Sequence, residues 1–146
     1  MPLKPRLLLV EDDAGRIEIF SNWLADTEFV LVTARSGGQA IGMLSKGFDG
    51  VAGLMLDHDL SDAPLTSVDP QLSSSALIPL LQRRLPRHVP VLIHSHNLNK
   101  PVVMQLALEA SGHSVTRIRF SALMHEPGKF TEWFEDVRDN WDPDSQ

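Results

Sequence analysis

No cysteine occurs among the 146 residues of the chain. That absence excludes disulfides, zinc–thiolate sites and thiol catalysis, and it agrees with an expected cytoplasmic setting. Long apolar runs are also missing. Leu7-Leu8-Leu9-Val10, preceded by Lys4 and Arg6 and ended by Glu11, is too short for a signal peptide, and no stretch is long enough to span a membrane. Basic residues are in short supply: 13 Lys and Arg stand against 19 Asp and Glu, a formal net charge of −6. Tight binding to a nucleic-acid backbone needs clustered cations, so no groove binding is expected. A small phosphorylated ligand held through a metal stays open. There is no internal repeat, and the one low-complexity stretch is Ser73-Ser74-Ser75.

What the chain does contain is alternation. At 42% hydrophobic residues it is globular, and its length suits one domain over 1–141 followed by a polar tail at 142–146. Short apolar runs read as buried strands: 7–10, 29–32, 51–56, 89–93 and a less apolar 115–120. Helical patterns fall between them. Ile17, Phe20 and Leu24 share one face, with Asp13 as N-cap. Ser36 and Gln39 form a capping-box pattern before a helix over 40–44 that stops near Gly47. A third helix over 76–85 holds Pro79 in its first turn or is kinked by it, and Pro86 ends it. Asn99 and Pro101 open a fourth helix that Gly112 terminates, and a last one begins near Pro127 and buries Phe130, Trp133, Phe134 and Val137. Residues 61–75 are polar, contain Pro64 and Pro70 and have no period, which marks an insertion near the site.

Five strands alternating with five helices predict an α/β fold with helices on both faces of a parallel sheet. The flavodoxin-like strand order 2-1-3-4-5 is the commonest at this size. That order makes strands one, three and four neighbours, and ligands in such sheets bind beyond the carboxyl ends of the strands. Those ends carry Glu11-Asp12-Asp13, Asp57-His58-Asp59 and His94-Ser95-His96-Asn97. Carboxylates on adjacent strand ends repel one another unless a cation lies among them. Oxygen donors suit magnesium or manganese, and the histidines shift the preference toward transition metals. Asp57, ending the most apolar strand, is either a metal ligand or a nucleophile that forms an aspartyl-phosphate. In an extended strand Asp57 faces the same way as Asp59, and His94 the same way as His96.

Leu8-Leu9-Val10-Glu11-Asp12-Asp13, Gly38-Gln39-Ala40-Ile41, Leu54-Met55-Leu56-Asp57 and Val91-Leu92-Ile93-His94-Ser95 resemble, in order, the conserved stretches of response-regulator receiver domains. The resemblance implies that Glu11, Asp12 and Asp57 hold magnesium, that Asp57 accepts a phosphoryl group and that Ser95 contacts it. Departures are visible. His58-Asp59-Leu60 and a long insertion follow the acceptor position, Arg119-Phe120 stands where receivers carry Lys-Pro, and Thr116 holds the usual aromatic position. Leu56-Asp57-His58-Asp59-Leu60 together with His94-Ser95-His96-Asn97 is similar to a narrower group, the cyclic-phosphate-processing receiver domains.

Two active readings follow, and a third without chemistry. In the first the chain is a metal-dependent phosphoesterase acting on cyclic phosphate or phosphoester groups. Glu11, Asp12, Asp57 and Asp59 hold the metal, while Asp57, His58, His94 and His96 are catalytic, one of the histidines serving as ligand or general acid. Ser95, Asn97 and Arg119 bind the phosphate. In the second it is a single-domain response regulator in which Asp57 takes its phosphoryl group from a histidine-kinase-type phosphodonor. In the third the site is degenerate and the fold serves an interface.

Overall fold

The computed structural model describes residues 4–48, 50–57, 74–95 and 101–141, the side chains of 74–76, 95 and 101–103 excepted. The elements run β1 (Arg6–Val10), α1 (Ala14–Leu24), β2 (Val30–Ala34), α2 (Gly37–Leu44), β3 (Val51–Asp57), α3 (Ser74–Arg84), β4 (Val91–Ser95), α4 (Pro101–Ala110), β5 (Val115–Arg119), α5 (Phe120–His125) and α6 (Gly128–Asn140). All strand pairs are parallel and the sheet order is β2-β1-β3-β4-β5, as expected.

Two cores flank the sheet, and strand alternation decides which residue enters which. Leu8, Val10, Leu54, Leu56, Val91 and Ile93 point to one face, where α2, α3 and α4 cover them through Leu44, Leu77, Leu81 and Leu108. Leu7, Leu9, Met55 and Leu92 point to the other, where α1, α5 and α6 supply Phe20, Leu24, Leu123, Phe130, Trp133 and Val137. The central strands β1, β3 and β4 are apolar on both sides because helices cover both sides. On β5, at the sheet edge, every residue is only half-buried or exposed.

Several expected boundaries move. β2 begins at Val30, where Val30 pairs with Arg6, and Phe29 is buried just before it. β4 runs two residues beyond Ile93, so His94 and Ser95 are ladder residues and not loop residues. Phe120 opens α5, a helix the apolar pattern did not signal, and the chain thus has six helices among the described residues. α3 starts at Ser74, so Pro79 lies inside the helix, on its exposed side, past the first turn. Asp13 caps α1 as expected, its carboxylate accepting from Arg16 N at 2.9 Å. Ser36 caps α2 at 3.0 Å through Gln39 N, while the Gln39 side chain reaches back to Arg35 N at 2.7 Å instead of to Ser36. Gly112 closes α4 with a φ of 89°, a left-handed conformation that favours glycine. The Asn99 cap and the 61–73 part of the insertion lie outside the described residues.

Gly53 is required by packing. It pairs with Leu7 across β1 and β3, and a Cβ at this position would stand 2.6 Å from Leu7 Cδ2, 3.1 Å from Val137 Cγ2 and 3.2 Å from Trp133 Cη2. Gly53→Ala is expected to destabilise the fold by about 1–3 kcal/mol through overpacking. The urea unfolding midpoint measures it, and an unchanged midpoint would mean that Leu7 turns aside without cost.

Candidate functional site

Glu11 follows the last residue of β1, Asp57 ends β3 and His94 is the penultimate residue of β4. Val10 pairs with Leu56, which sets Glu11 beside Asp57, and Asp57 pairs directly with His94. Alternation continues from Leu9, Met55 and Leu92, so all three side chains face the α1 side of the sheet. The three are buried at 0%, 1% and 1% exposure. One potential ligand atom from each falls within 4.8 Å of the others, a spacing a metal ion would accept.

A guanidinium stands among them. Arg16, in the first turn of α1, donates from Nε to Glu11 Oε1 at 2.8 Å and from Nη2 to Glu11 Oε2 at 3.0 Å. The same Nη2 donates to Asp57 Oδ2 at 3.3 Å. His94 Nε2 lies 3.0 Å from Glu11 Oε1, and the backbone N–H groups of Asp12 and Asp13 donate to Glu11 Oε2 at 3.0 and 3.2 Å. Phe20 and Phe120 pack on the imidazole at ring separations of 5.1 and 6.3 Å, and Arg16 lies 5.5 Å over the Phe120 ring.

Burial by itself would raise the Glu11 carboxyl. Hydrogen bonding with His94, Asp57 and Arg16 outweighs it and holds Glu11 well below the usual carboxylate range. Partial burial and the neighbouring Glu11 charge push Asp12 the other way, above its ordinary value.

The expected site is therefore assembled in part. Glu11, Asp57 and His94 come together. Asp12 is exposed and outside that group; its carbonyl oxygen accepts from Arg35 Nη2 at 3.1 Å. Ser95 is in register with the exposed Arg119 at the ends of β4 and β5. His58, Asp59, His96 and Asn97 lie outside the described residues. His94 is a buried ring bound to Glu11, so alanine at this position would open the core and would not test chemistry alone. Arg16 was missed. The available signal was the need for a cation among Glu11, Asp12 and Asp57, with one basic residue a helical turn after the acidic triplet.

No helix among the described residues is long and apolar enough to cross a membrane. No family profile and no curated protein matches the chain in sequence. Solved structures do match in shape. A response regulator receiver protein from Pseudomonas putida superposes with a TM-score of 0.64 at 16% identity, covering 92% of this chain and 98% of that one. The bacteriophytochrome response regulator AtBRR gives 0.61 at 18% identity and 97% of each chain. The Mn(2+)-bound form of response regulator Rcp1 gives 0.55 at 16% identity, with 79% and 80% covered. The strand order, the helices on both faces and these likenesses agree: the chain has the flavodoxin-like fold of response-regulator receiver domains.

Proposed function

We propose that the chain is a phosphoacceptor module in which Asp57 receives a phosphoryl group from a phosphohistidine donor of the histidine-kinase type. The observation that carries this reading is the position of Asp57: the last residue of the central strand, at the carboxyl edge of the sheet, with a carboxylate oxygen facing a guanidinium. Glu11 is the supporting carboxylate in this reading, both its oxygens being engaged by Arg16, His94 and two backbone N–H groups. In the step, an Asp57 carboxylate oxygen forms the new P–O bond while the donor's P–N bond breaks. The departing electron pair returns to the donor imidazole, which takes up a proton. A divalent cation held by Glu11 and Asp57 would supply charge neutralisation for the phosphoryl oxygens. Arg16 offers them a planar donor fork. Ser95 and Arg119, side by side at the ends of β4 and β5, are the next candidates for phosphate contact. The Asp57 carboxylate is buried, so entry of the phosphoryl group requires a covering group to move, and Arg16 at 15% exposure is the outermost of the described cluster.

A second reading has one observation in its favour, the imidazole among the possible metal donors. In it the site hydrolyses cyclic phosphates with a transition metal, using Asp57, His58, His94 and His96, with Asp59 as a further ligand and Asn97 positioning the substrate.

Intact mass after incubation with magnesium and a small phosphodonor tests the first reading. The parent is expected to gain one phosphoryl group, and Asp57→Asn, which keeps the side chain's shape, to gain none. An adduct retained in Asp57→Asn would refute the assignment, as would a parent that neither forms the adduct nor binds beryllofluoride. Turnover of a cyclic-phosphate panel with manganese or zinc, without any adduct, would establish the second reading instead.

A further inference from the structure

The acidic pocket already contains a cation of its own. Arg16 takes up both oxygens of Glu11 and one of Asp57 with a single guanidinium, at 2.8, 3.0 and 3.3 Å. These carboxylates are the same groups that would hold a metal. A magnesium ion needs carboxylate oxygens at about 2.0–2.1 Å in near-octahedral array, and a guanidinium hydrogen-bonded to those same oxygens sets a like charge against it and takes up their acceptor sites, so the two cations compete for the pocket. One nitrogen of the third donor is engaged as well. His94 Nε2 lies 3.0 Å from Glu11 Oε1, and an ionised carboxylate can only accept. Nε2 therefore carries the proton in this arrangement and has no lone pair for a metal.

Arg16 is also built into place. Its backbone N–H is fixed by the Asp13 cap at 2.9 Å, and its guanidinium lies over the Phe120 ring at 5.5 Å. A planar fork held at its backbone, its carboxylate partners and its aromatic support is a preorganised counter-ion, not a surface side chain that happened to fold inward.

We propose that Arg16 is the resident cation of this pocket: it occupies the place of a divalent metal, and a metal binds only when the Arg16 side chain swings out. The inference stands whether or not Asp57 takes a phosphoryl group, because it concerns competition between two cations for the same carboxylates. It follows that the full chain binds divalent ions weakly, that removing the positive charge at position 16 strengthens binding, and that keeping the charge does not.

Electron paramagnetic resonance of free Mn2+ in titrations of the full chain reads this directly. Arg16→Gln is expected to bind Mn2+ at least about tenfold more tightly than the parent, and Arg16→Lys to stay within about threefold of it. Without metal, Arg16→Gln should melt below the parent and recover when Mn2+ is added, by linkage of binding to folding. Equal affinity in parent and Arg16→Gln overturns the proposal, as does tighter binding in Arg16→Lys to the same degree as in Arg16→Gln. If Arg16→Gln does not fold without metal, the parent decides: its Arg16 Nε–H resonance is expected to persist in about millimolar Mg2+, and its loss at well below that concentration overturns the proposal.

Discussion

Replacing Glu11 with alanine is expected to cost about 3–5 kcal/mol of stability, the loss typical when one partner of a buried charge network is removed. Glu11 is 0% exposed and accepts from the Arg16 Nε and Nη2 atoms, from the His94 ring and from two backbone N–H groups. Alanine would leave the guanidinium and the imidazole without their common acceptor, and would strand the N–H groups of Asp12 and Asp13 at the start of α1. Glu11→Gln keeps the volume and one acceptor oxygen, so it should cost less. Urea unfolding of the three proteins gives the comparison, and a loss below about 1 kcal/mol in Glu11→Ala would show that water replaces the carboxylate freely.

The same network sets a pH dependence. The folded-state pKa of Glu11 lies well below its ordinary value near 4.5. Its contribution is therefore fully present above that value and is lost as pH falls below it toward the folded-state pKa. The parent should lose stability between about pH 5 and pH 3 more steeply than Glu11→Gln does. The raised pKa of Asp12 acts in the opposite direction, and because Asp12 is exposed its weight is smaller.

Phe20→Ala should be of similar size, about 3–5 kcal/mol, from lost burial and the cavity left behind. Phe20 is 0% exposed and meets Trp23, Phe120 and Phe130 at ring separations of 5.5, 5.9 and 5.9 Å. The Trp23 and Phe120 contacts are close to edge-on, the arrangement in which aromatic pairs gain beyond their area. This substitution also reaches the site. Phe20 packs on His94 at 5.1 Å, and His94 holds Glu11, so the carboxylate should lose its orientation as the ring loses its support. Thermal unfolding measures the first effect. Phosphoryl-adduct yield at a temperature where the variant is still folded measures the second. Phe20→Leu, which refills much of the volume, is expected to cost less than about 1.5 kcal/mol and to keep the adduct. Equal losses for the leucine and alanine variants would mean that ring contacts, and not the cavity, carry the energy.

Much of this architecture is legible along the chain because strands buried on both faces leave an uninterrupted apolar signature. Leu7 to Val10, Leu54 to Leu56 and Val91 to Ile93 have no polar residue to conceal them. The caps at Asp13 and Ser36 and the stop at Gly112 are local chemistry and were readable for that reason. α5 was not readable: at six residues, beginning at the end of β5, it is too short to show a helical period. The ends of β2 and β4 are not legible along the chain because strand length depends on the neighbour, and β4 extends as far as β5 offers partners for His94 and Ser95.

The chain by itself determined that acidic and imidazole groups end neighbouring strands, because alternating strands and helices admit few sheet orders and the strand ends are written in the sequence. Only the tertiary structure decided which of these groups meet. The register of β1 on β3 and of β3 on β4 brings Glu11, Asp57 and His94 to one face of the sheet, and the pleat sends alternate residues to the other. It also decided what neutralises them. Arg16 is 41 residues from Asp57 in sequence and 3.3 Å from it in space, and its place just after the acidic triplet does not by itself name Asp57 as a partner. The reason is physical: charge pairing in a buried pocket is settled by which helix covers which face of the sheet, and α1 covers the face toward which these carboxylates point.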